Sequence, residues 1–162
     1  MSPRAFSVEE ANALLPDVRA ALGAIRKRTE AFRRRSDRIA ALELLWGDEV
    51  NKPSSPDHHE LLAHRAAMAR TERSLKRLVD ARLTQRGIRF PPGGLEHGLV
   101  DFPALLDGRW IYLCWRLGED RVEHWHELAT GFGGRRPITP ELARRLGQGP
   151  GPGVGEGPPP DI

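Results

Sequence analysis

The feature that most constrains this chain is an apolar heptad that extends from Val8 to Trp46. Apolar residues spaced three and four apart over this length predict one long helix with a seam for a second helix. Ser7 and Glu10 have the spacing of a capping box, which predicts where the helix begins. The two seam positions hold Val8, Leu15, Leu22, Thr29 and Ser36, and Ala11, Val18, Ile25, Phe32, Ile39 and Trp46.

A second helix is predicted after the polar, proline-containing loop at residues 47–57. Ser55-Pro56 has the pattern of an N-cap followed by proline at the first helical position, and Gly87 predicts a helix end at about Arg86. Two helices joined by such a loop predict an antiparallel, coiled-coil-like hairpin over residues 7–87. The apolar surface of these helices is larger than one small core can bury, so we expect a homodimer.

Residues 98–127 predict a three-stranded antiparallel meander. Its strands are expected at residues 99–105, 109–117 and 121–127, with turns at Asp107-Gly108 and at residues 118–120. A short last helix is expected at residues 139–146 and a disordered Gly/Pro-rich tail at residues 147–162. The expected fold is therefore α+β, with one domain over residues 1–146.

Two-residue turns would fix the pairing of the strands. The first turn places Asp101 opposite Cys114; a two-residue turn at Glu119-Asp120 would place Arg116 opposite Glu123 and Leu113 opposite His126. In that register His124 and His126 lie on the core face. The second face is aromatic, which predicts a cover by another subunit or a binding surface; it carries Asp101, Trp110, Tyr112, Cys114, Arg116, Glu123 and Trp125.

Composition narrows the possible functions. The single cysteine, Cys114, excludes an intrachain disulfide, and no apolar run has the length of a membrane span. With no signal-peptide pattern at the N-terminus, we expect a cytoplasmic protein. Residues 19–38 hold eight basic and two acidic side chains, but no base-reading motif accompanies them. A solvated helix face is the favoured interpretation, and nucleic acid is not an expected partner.

Three motifs carry possible chemistry. His124-Trp125-His126 places two imidazoles on one strand face, which suits either a metal or two hydrogen-bonded histidines. The glycine-rich run from Gly131 to Arg136 suits either an anion-binding nest or a plain linker. For Cys114 we favour a small buried sulfur over a nucleophile, because the neighbouring Asp101 would raise the pKa of the thiol.

Several segments resemble a bacterial family catalogued as domain of unknown function 2203. They are FSVEEANALLPDVR (6–19), GLVDFP (98–103), LCWRLGE (113–119), WH (125–126) and GFGGRRPI (131–138), in order over about residues 6–138. The resemblance implies no activity. It directs attention to Asp101, Cys114, Trp115, Arg116, Gly118, Glu119, Trp125, His126, Gly131, Phe132, Gly134 and Arg135.

Three functions are weighed. The leading hypothesis is a homo-oligomeric binding or scaffolding module with a small anionic ligand at the meander edge, where His126 and Arg135 line one pocket. The alternative is a metal-dependent enzyme that uses His126 with an acidic residue, and the third is nucleic-acid binding by the first helix. The candidate ligand-binding residues are Asp101, Arg116, Glu119, Trp125, His126 and Arg135; the candidate metal ligands are His124 and His126. No motif specifies a cofactor.

Overall fold

A computed structural model describes residues 4–147. Helix α1 spans Val8–Trp46 and α2 spans His58–Arg82. Strands β1 (Leu99–Leu106), β2 (Arg109–Arg116), β3 (His124–Glu127) and β4 (Arg136–Pro137) follow, and α3 (Pro140–Arg145) ends the series. The α+β class is confirmed. The expected tail at residues 148–162 lies outside the described residues.

The described chain divides into two compact units. The sheet unit comprises the described residues up to Leu22 and from Ala81 onward, and the hairpin unit is Gly23–Asp80. Across the described residues, no helix combines the length and apolarity needed to cross a bilayer.

The start of α1 follows the predicted capping box. The Ser7 amide donates to Glu10 Oε2 at 2.9 Å, and the Glu10 amide donates to Ser7 Oγ at 3.1 Å. These two bonds satisfy amides that the first helical turn leaves without partners. The predicted bounds of α1 are confirmed, because the capping box and the heptad both act locally. For α2 the prediction was two residues early, since Ser55 Oγ makes no hydrogen bond and the helix begins at His58.

In the hairpin unit the two helices run side by side in opposite directions. Arg28 Nε donates to Ser74 Oγ at 2.9 Å, whereas Arg38, farther along α1, is hydrogen bonded to Glu60, near the start of α2. A small cluster of Leu42, Val50 and Leu61 closes the connected end of this pair. Between Ile25 and Leu42, no residue of α1 is buried in the single chain. The packing of a coiled coil stays a prediction.

The sheet has four antiparallel strands in the order β1-β2-β3-β4. The prediction of three strands was wrong because β4 is only two residues long and contains a proline, which hides it from any strand pattern. The β1–β2 register is confirmed: Asp101 pairs with Cys114 and Leu105 pairs with Trp110. Asp107 adopts φ 51° and Gly108 φ 81°, as a tight two-residue hairpin turn requires.

The β2–β3 register differs from the prediction by one residue. Cys114 pairs with His124 and Tyr112 with His126, whereas a two-residue turn would have placed Leu113 opposite His126. Seven residues connect β2 to β3, so the turn does not fix the pairing. The predicted Arg116–Glu123 pair is wrong, because the β2–β3 ladder ends at the Cys114–His124 pair and includes neither residue. A shift of one residue exchanges the two faces of β3.

The core of the sheet unit lies between α1 and one face of the sheet. The rings of Phe6 and Phe102 meet edge to face with centroids 5.4 Å apart, and the Phe6 amide donates to the Pro103 carbonyl at 2.8 Å. The Asn12 side chain accepts a hydrogen bond from the Val122 amide at 2.8 Å, which links α1 to the β2–β3 connection. Trp125 belongs to this face, so the prediction that it lies beside Cys114 was wrong.

Candidate metal centre

The other face of the sheet holds three buried polar side chains from three adjacent strands. Asp101 comes from β1, Cys114 from β2 and His126 from β3. Successive side chains of a strand point to opposite faces of the sheet, and the directly paired Asp101 and Cys114 point to the same face. His126 lies on that face too, two residues along β3 from the residue that pairs with Cys114, and is therefore its diagonal neighbour. Their exposed fractions are 6%, 1% and 3%. We call these three residues the inner cluster.

The inner cluster is compact enough to share one ion. One ligand atom from each residue, a carboxylate oxygen, a thiol sulfur and an imidazole nitrogen, lies within 4.8 Å of the other two. His126 Nε2 is 3.3 Å from Asp101 Oδ1. Both imidazole nitrogens have partners, because Nδ1 lies 2.7 Å from the Glu127 carbonyl oxygen. The Tyr112 ring lies 5.5 Å from the imidazole.

Protonation of the inner cluster follows from its burial and its carboxylate. Burial, followed by the negative charge of Asp101, raises the pKa of the Cys114 thiol to about 12. Such a thiol is a poor nucleophile, as the sequence predicted. Burial by itself lowers the pKa of His126, but the hydrogen bonds to Asp101 and to the Glu127 carbonyl outweigh it, and the net pKa is raised.

A second polar group, the outer cluster, consists of Glu119, His124 and Arg135. Arg135 Nη2 donates to Glu119 Oε1 and to His124 Nδ1, the latter at 2.6 Å. The Arg135 guanidinium also stacks on Phe132, 4.7 Å from the ring centroid. Glu119 is fixed from the other side by the Arg116 amide, which donates to Oε2 at 2.9 Å. The Arg135 side chain is 13% exposed.

The structure separates the sequence-predicted site residues into these two clusters. His126 lies with Asp101 and Cys114, whereas His124 lies with Arg135 and Glu119. The two histidines share a face, but the compact ligand group contains only His126. The side chains of Arg116 and Trp125 belong to neither cluster. The Arg116 guanidinium is exposed and lies 6.0 Å from the centroid of the Phe132 ring. The Trp125 ring stacks under Arg136 on the opposite face of the sheet.

Cys114 is the functional candidate that sequence reasoning set aside. Its pairing with Asp101 was predicted, but a thiol and a carboxylate alone are too few ligands to indicate a metal site. The correct β2–β3 register would have supplied His126 as that third ligand. Cover by a second subunit, one of the two alternatives for this face, is not needed to bury the inner cluster, since all three of its residues are buried in the single chain.

The glycine-rich segment forms a turn rather than an open anion nest. Phe132–Gly134 is a single turn of 3-10 helix, and the segment leads Arg135 back towards Glu119 and His124. The carboxylate of Glu119 thus already serves one side of the guanidinium. An anion that bound there would have to use donors that Glu119 leaves free.

The comparison with protein families gives a match that covers most of the chain. The model of the family described as "Uncharacterized conserved protein (DUF2203)" matches residues 4–138, so the chain belongs to that family. No curated protein and no solved structure matches the chain. The resemblance inferred from the sequence motifs is confirmed, and all residues of the inner and outer clusters lie within the matched range.

Proposed function

We propose that this member of the DUF2203 family is a metal-binding protein that holds one divalent transition-metal ion, preferentially Zn²⁺, in the inner cluster. The observation that carries the proposal is the buried meeting of three different ligand types within 4.8 Å. Thiolate and imidazole ligands favour zinc and its neighbours over magnesium or calcium, which prefer oxygen.

One of the separations between ligand atoms already suits a tetrahedral ion. Ligand atoms at zinc bond lengths lie about 3.3–3.6 Å from one another around a tetrahedron. His126 Nε2 and Asp101 Oδ1 already have such a separation, 3.3 Å. Each ligand comes from a different strand of one sheet, so the backbone hydrogen bonds of the sheet hold the three positions together.

The hydrogen bond at the far side of the imidazole supports His126 as a ligand. Its Nδ1 lies 2.7 Å from the Glu127 carbonyl oxygen, which cannot donate, so Nδ1 carries the proton. The neutral imidazole then presents the Nε2 lone pair towards Asp101 and Cys114. Metal-bound histidines are commonly oriented by this kind of second hydrogen bond.

The charges also balance. A carboxylate and a thiolate together neutralise a divalent ion, so the buried site would carry no net charge. The ion would replace two protons, one on the Cys114 thiol and one on the His126 imidazole. Without the ion, the same groups form a buried imidazolium–carboxylate pair, which is the metal-free alternative that experiment must exclude.

Three protein ligands leave one coordination position for water or substrate, which is the pattern of catalytic rather than structural zinc sites. The set of three ligands, which includes His126 and the acidic Asp101, therefore favours the metal-dependent enzyme as the second candidate function.

Homodimerisation through the hairpin unit is a separate part of the proposal. Leu44, Leu45 and Leu62 are 90%, 69% and 45% exposed. Large apolar side chains this exposed, on helices whose seam has few buried residues, favour association with a second copy.

Metal analysis combined with native mass spectrometry tests the metal proposal. After zinc loading and dialysis, the wild type is expected to retain one ion per chain, and Cys114→Ser and His126→Gln are expected to lose it. His124→Gln is the matched control, because His124 shares the strand and the face but lies in the outer cluster; it should retain zinc. A wild type that retains no metal, or a His126→Gln variant that retains it, would refute the proposal.

A further inference from the structure

The inner cluster is buried on the face of the sheet that points away from α1. Its three residues are at most 6% exposed, so another part of the chain covers them. An ion can reach a buried ligand set only along a path through that cover. The segment that connects β3 to β4 lies at this place, and we call residues 128–135 the β3–β4 loop.

The β3–β4 loop contacts both neighbours of Cys114 on this face. The neighbours are Arg116, two residues along β2, and His124, the direct partner of Cys114 in β3. The centroid of the Phe132 ring lies 6.0 Å from the Arg116 guanidinium. At the other neighbour, Arg135 Nη2 donates to His124 Nδ1 at 2.6 Å. The loop therefore crosses the face beside Cys114 and contributes to the cover of the inner cluster.

The backbone of the β3–β4 loop is not tied to the rest of the sheet. Its amides donate to carbonyls of the loop itself or of Glu127, the last residue of β3. These bonds are Thr130 to Glu127 at 3.2 Å, Gly134 to Gly131 at 3.1 Å and Arg135 to Phe132 at 3.2 Å. Within the described chain, no backbone hydrogen bond joins the loop to another strand. The loop can therefore open without breaking the sheet, since few hydrogen bonds oppose such a local opening.

Two side chains of the loop fasten it instead. Arg135 Nη2 donates to Glu119 as well as to His124, and the guanidinium lies 4.7 Å from the centroid of the Phe132 ring. Glu119 is itself fixed to the sheet, because its carboxylate accepts from the Arg116 amide at 2.9 Å. The loop is therefore held closed by side chains that can separate from a partner that stays in place.

The start of the loop shares an acceptor with a proposed metal ligand. The Glu127 carbonyl accepts from His126 Nδ1 at 2.7 Å and from the Thr130 hydroxyl at 3.3 Å. Gly131 follows with φ 58° and ψ −164°, a conformation that essentially only glycine adopts. A change of these two angles would move the residues after Gly131 and leave the Glu127 carbonyl, and with it the orientation of His126, unchanged.

We propose that the β3–β4 loop is the gate of the metal site: it closes over the inner cluster, is fastened by Arg135 and Phe132, and opens locally to admit or release the ion. This inference rests on the proposed metal site and names how access to it is controlled. Arg135 and Phe132 are positioning residues, because neither belongs to the ligand set. The free energy of loop opening, and not that of unfolding, then sets the rate of metal exchange.

Two rates test the gate. One is the modification of Cys114, the only cysteine of the chain, by a thiol reagent in metal-free protein. The other is the release of zinc from loaded protein to an excess of chelator. Both are measured at several urea concentrations below the unfolding transition, because an opening that exposes little surface depends weakly on urea and global unfolding depends on it steeply.

Three variants are compared with the wild type. Arg135→Gln removes the guanidinium, and Phe132→Leu removes the ring while it keeps every charge. Arg136→Gln is the matched control, because the adjacent arginine stacks on Trp125 on the opposite face of the sheet. We expect Arg135→Gln to raise both rates about tenfold or more, as the loss of a hydrogen bond from a charged donor predicts. Phe132→Leu should raise them less, and Arg136→Gln should leave them unchanged.

The loss of the Arg135 charge by itself predicts the opposite result. That charge counteracts the rise in the pKa of the Cys114 thiol, so its removal makes the thiol less reactive. It also repels a divalent ion, so its removal slows the release of zinc. Faster modification and faster release in Arg135→Gln would therefore report opening of the loop.

Two kinds of result would overturn the inference. Rates that are equal in Arg135→Gln and the wild type, or that rise with urea as steeply as global unfolding does, would remove the gate and leave the metal site standing. A wild type that retains no zinc would refute the metal site and with it the gate. The zinc content of each loaded sample distinguishes these cases.

Discussion

The sheet unit and the hairpin unit use their residues in opposite ways. Asp101 and His126, the buried polar residues of the described chain, both lie in the sheet unit, together with most of the buried apolar side chains. In the hairpin unit, the buried residues are Ile25, Leu42, Val50, Leu61 and Ala67. Polar groups can be held in defined positions where the surroundings are densely packed.

The difference separates two kinds of function. The sheet unit has the packing that a buried ligand set requires. The hairpin unit leaves Leu44 and Leu45 largely exposed and has a half-buried seam, so its apolar surface is better suited to contact with another chain. We therefore expect substitutions in the sheet unit to change stability and metal binding, and those in the hairpin unit to change association.

The largest expected effect is the loss of a core side chain in the sheet unit. Trp115 is fully buried and its indole N–H donates to the Glu119 carbonyl at 3.0 Å. Trp115→Ala should reduce the free energy of unfolding by about 3–5 kcal/mol. The control is Trp46→Ala in the hairpin unit, where the ring is only half-buried. Urea denaturation that gave equal losses for the two variants would contradict the comparison.

A smaller effect is expected at the turn that carries Arg135. A Cβ on Gly134 would lie 2.4 Å from Thr130 Cβ, whereas one on Gly133 would have no atom within 4 Å. Gly134→Ala should therefore cost about 1–3 kcal/mol, and Gly133→Ala should stay within about 0.5 kcal/mol of the wild type. Thermal denaturation of the pair checks this, and equal melting temperatures would show that the turn is not closely packed.

The pH dependence of stability should change sign with the metal. The pKa of His126 is raised above its ordinary value of 6.5, so without metal its imidazolium stabilises the fold fully below about pH 6.5. This contribution is lost as the pH rises through the raised pKa. Zinc binding strengthens over the same range because the ion competes with protons.

Denaturation of metal-free and zinc-loaded protein between about pH 5.5 and pH 8.5 separates the two trends. This range extends about two pH units above the ordinary histidine pKa. His126→Gln without metal should lose the decline that the metal-free wild type shows. A metal-free wild type whose stability is flat or rises with pH would argue against the buried imidazolium–carboxylate pair.

The smallest effect on monomer stability is expected in the hairpin unit. The double substitution of Leu44 and Leu45 by Ser should change the free energy of unfolding of the isolated chain by no more than about 0.5 kcal/mol, because both side chains are exposed. It should nevertheless convert a dimer to a monomer in light scattering. Leu117→Ser, at an exposed leucine of the sheet unit, should leave the dimer intact. A wild-type monomer at micromolar concentration would refute the dimer.

Local signals made the helices and the first hairpin predictable. The capping box and heptad define α1, and Asp107-Gly108 fixes the pairing of Asp101 with Cys114. The β2–β3 connection is different, because the predicted two-residue turn at Glu119-Asp120, which would have paired Arg116 with Glu123, does not form. That single-residue error placed His126 in the core and separated it from its partners. Long connections leave register to tertiary packing, which a sequence pattern does not contain.

X-ray absorption spectroscopy at the zinc edge of the zinc-loaded wild type tests the central claim most directly. Cys114 is the only cysteine of the chain, so a thiolate bond identifies the site. We predict one sulfur at about 2.3 Å together with nitrogen and oxygen ligands at about 2.0 Å. A zinc ion surrounded by nitrogen and oxygen alone would contradict the account, because it would place the metal away from the inner cluster.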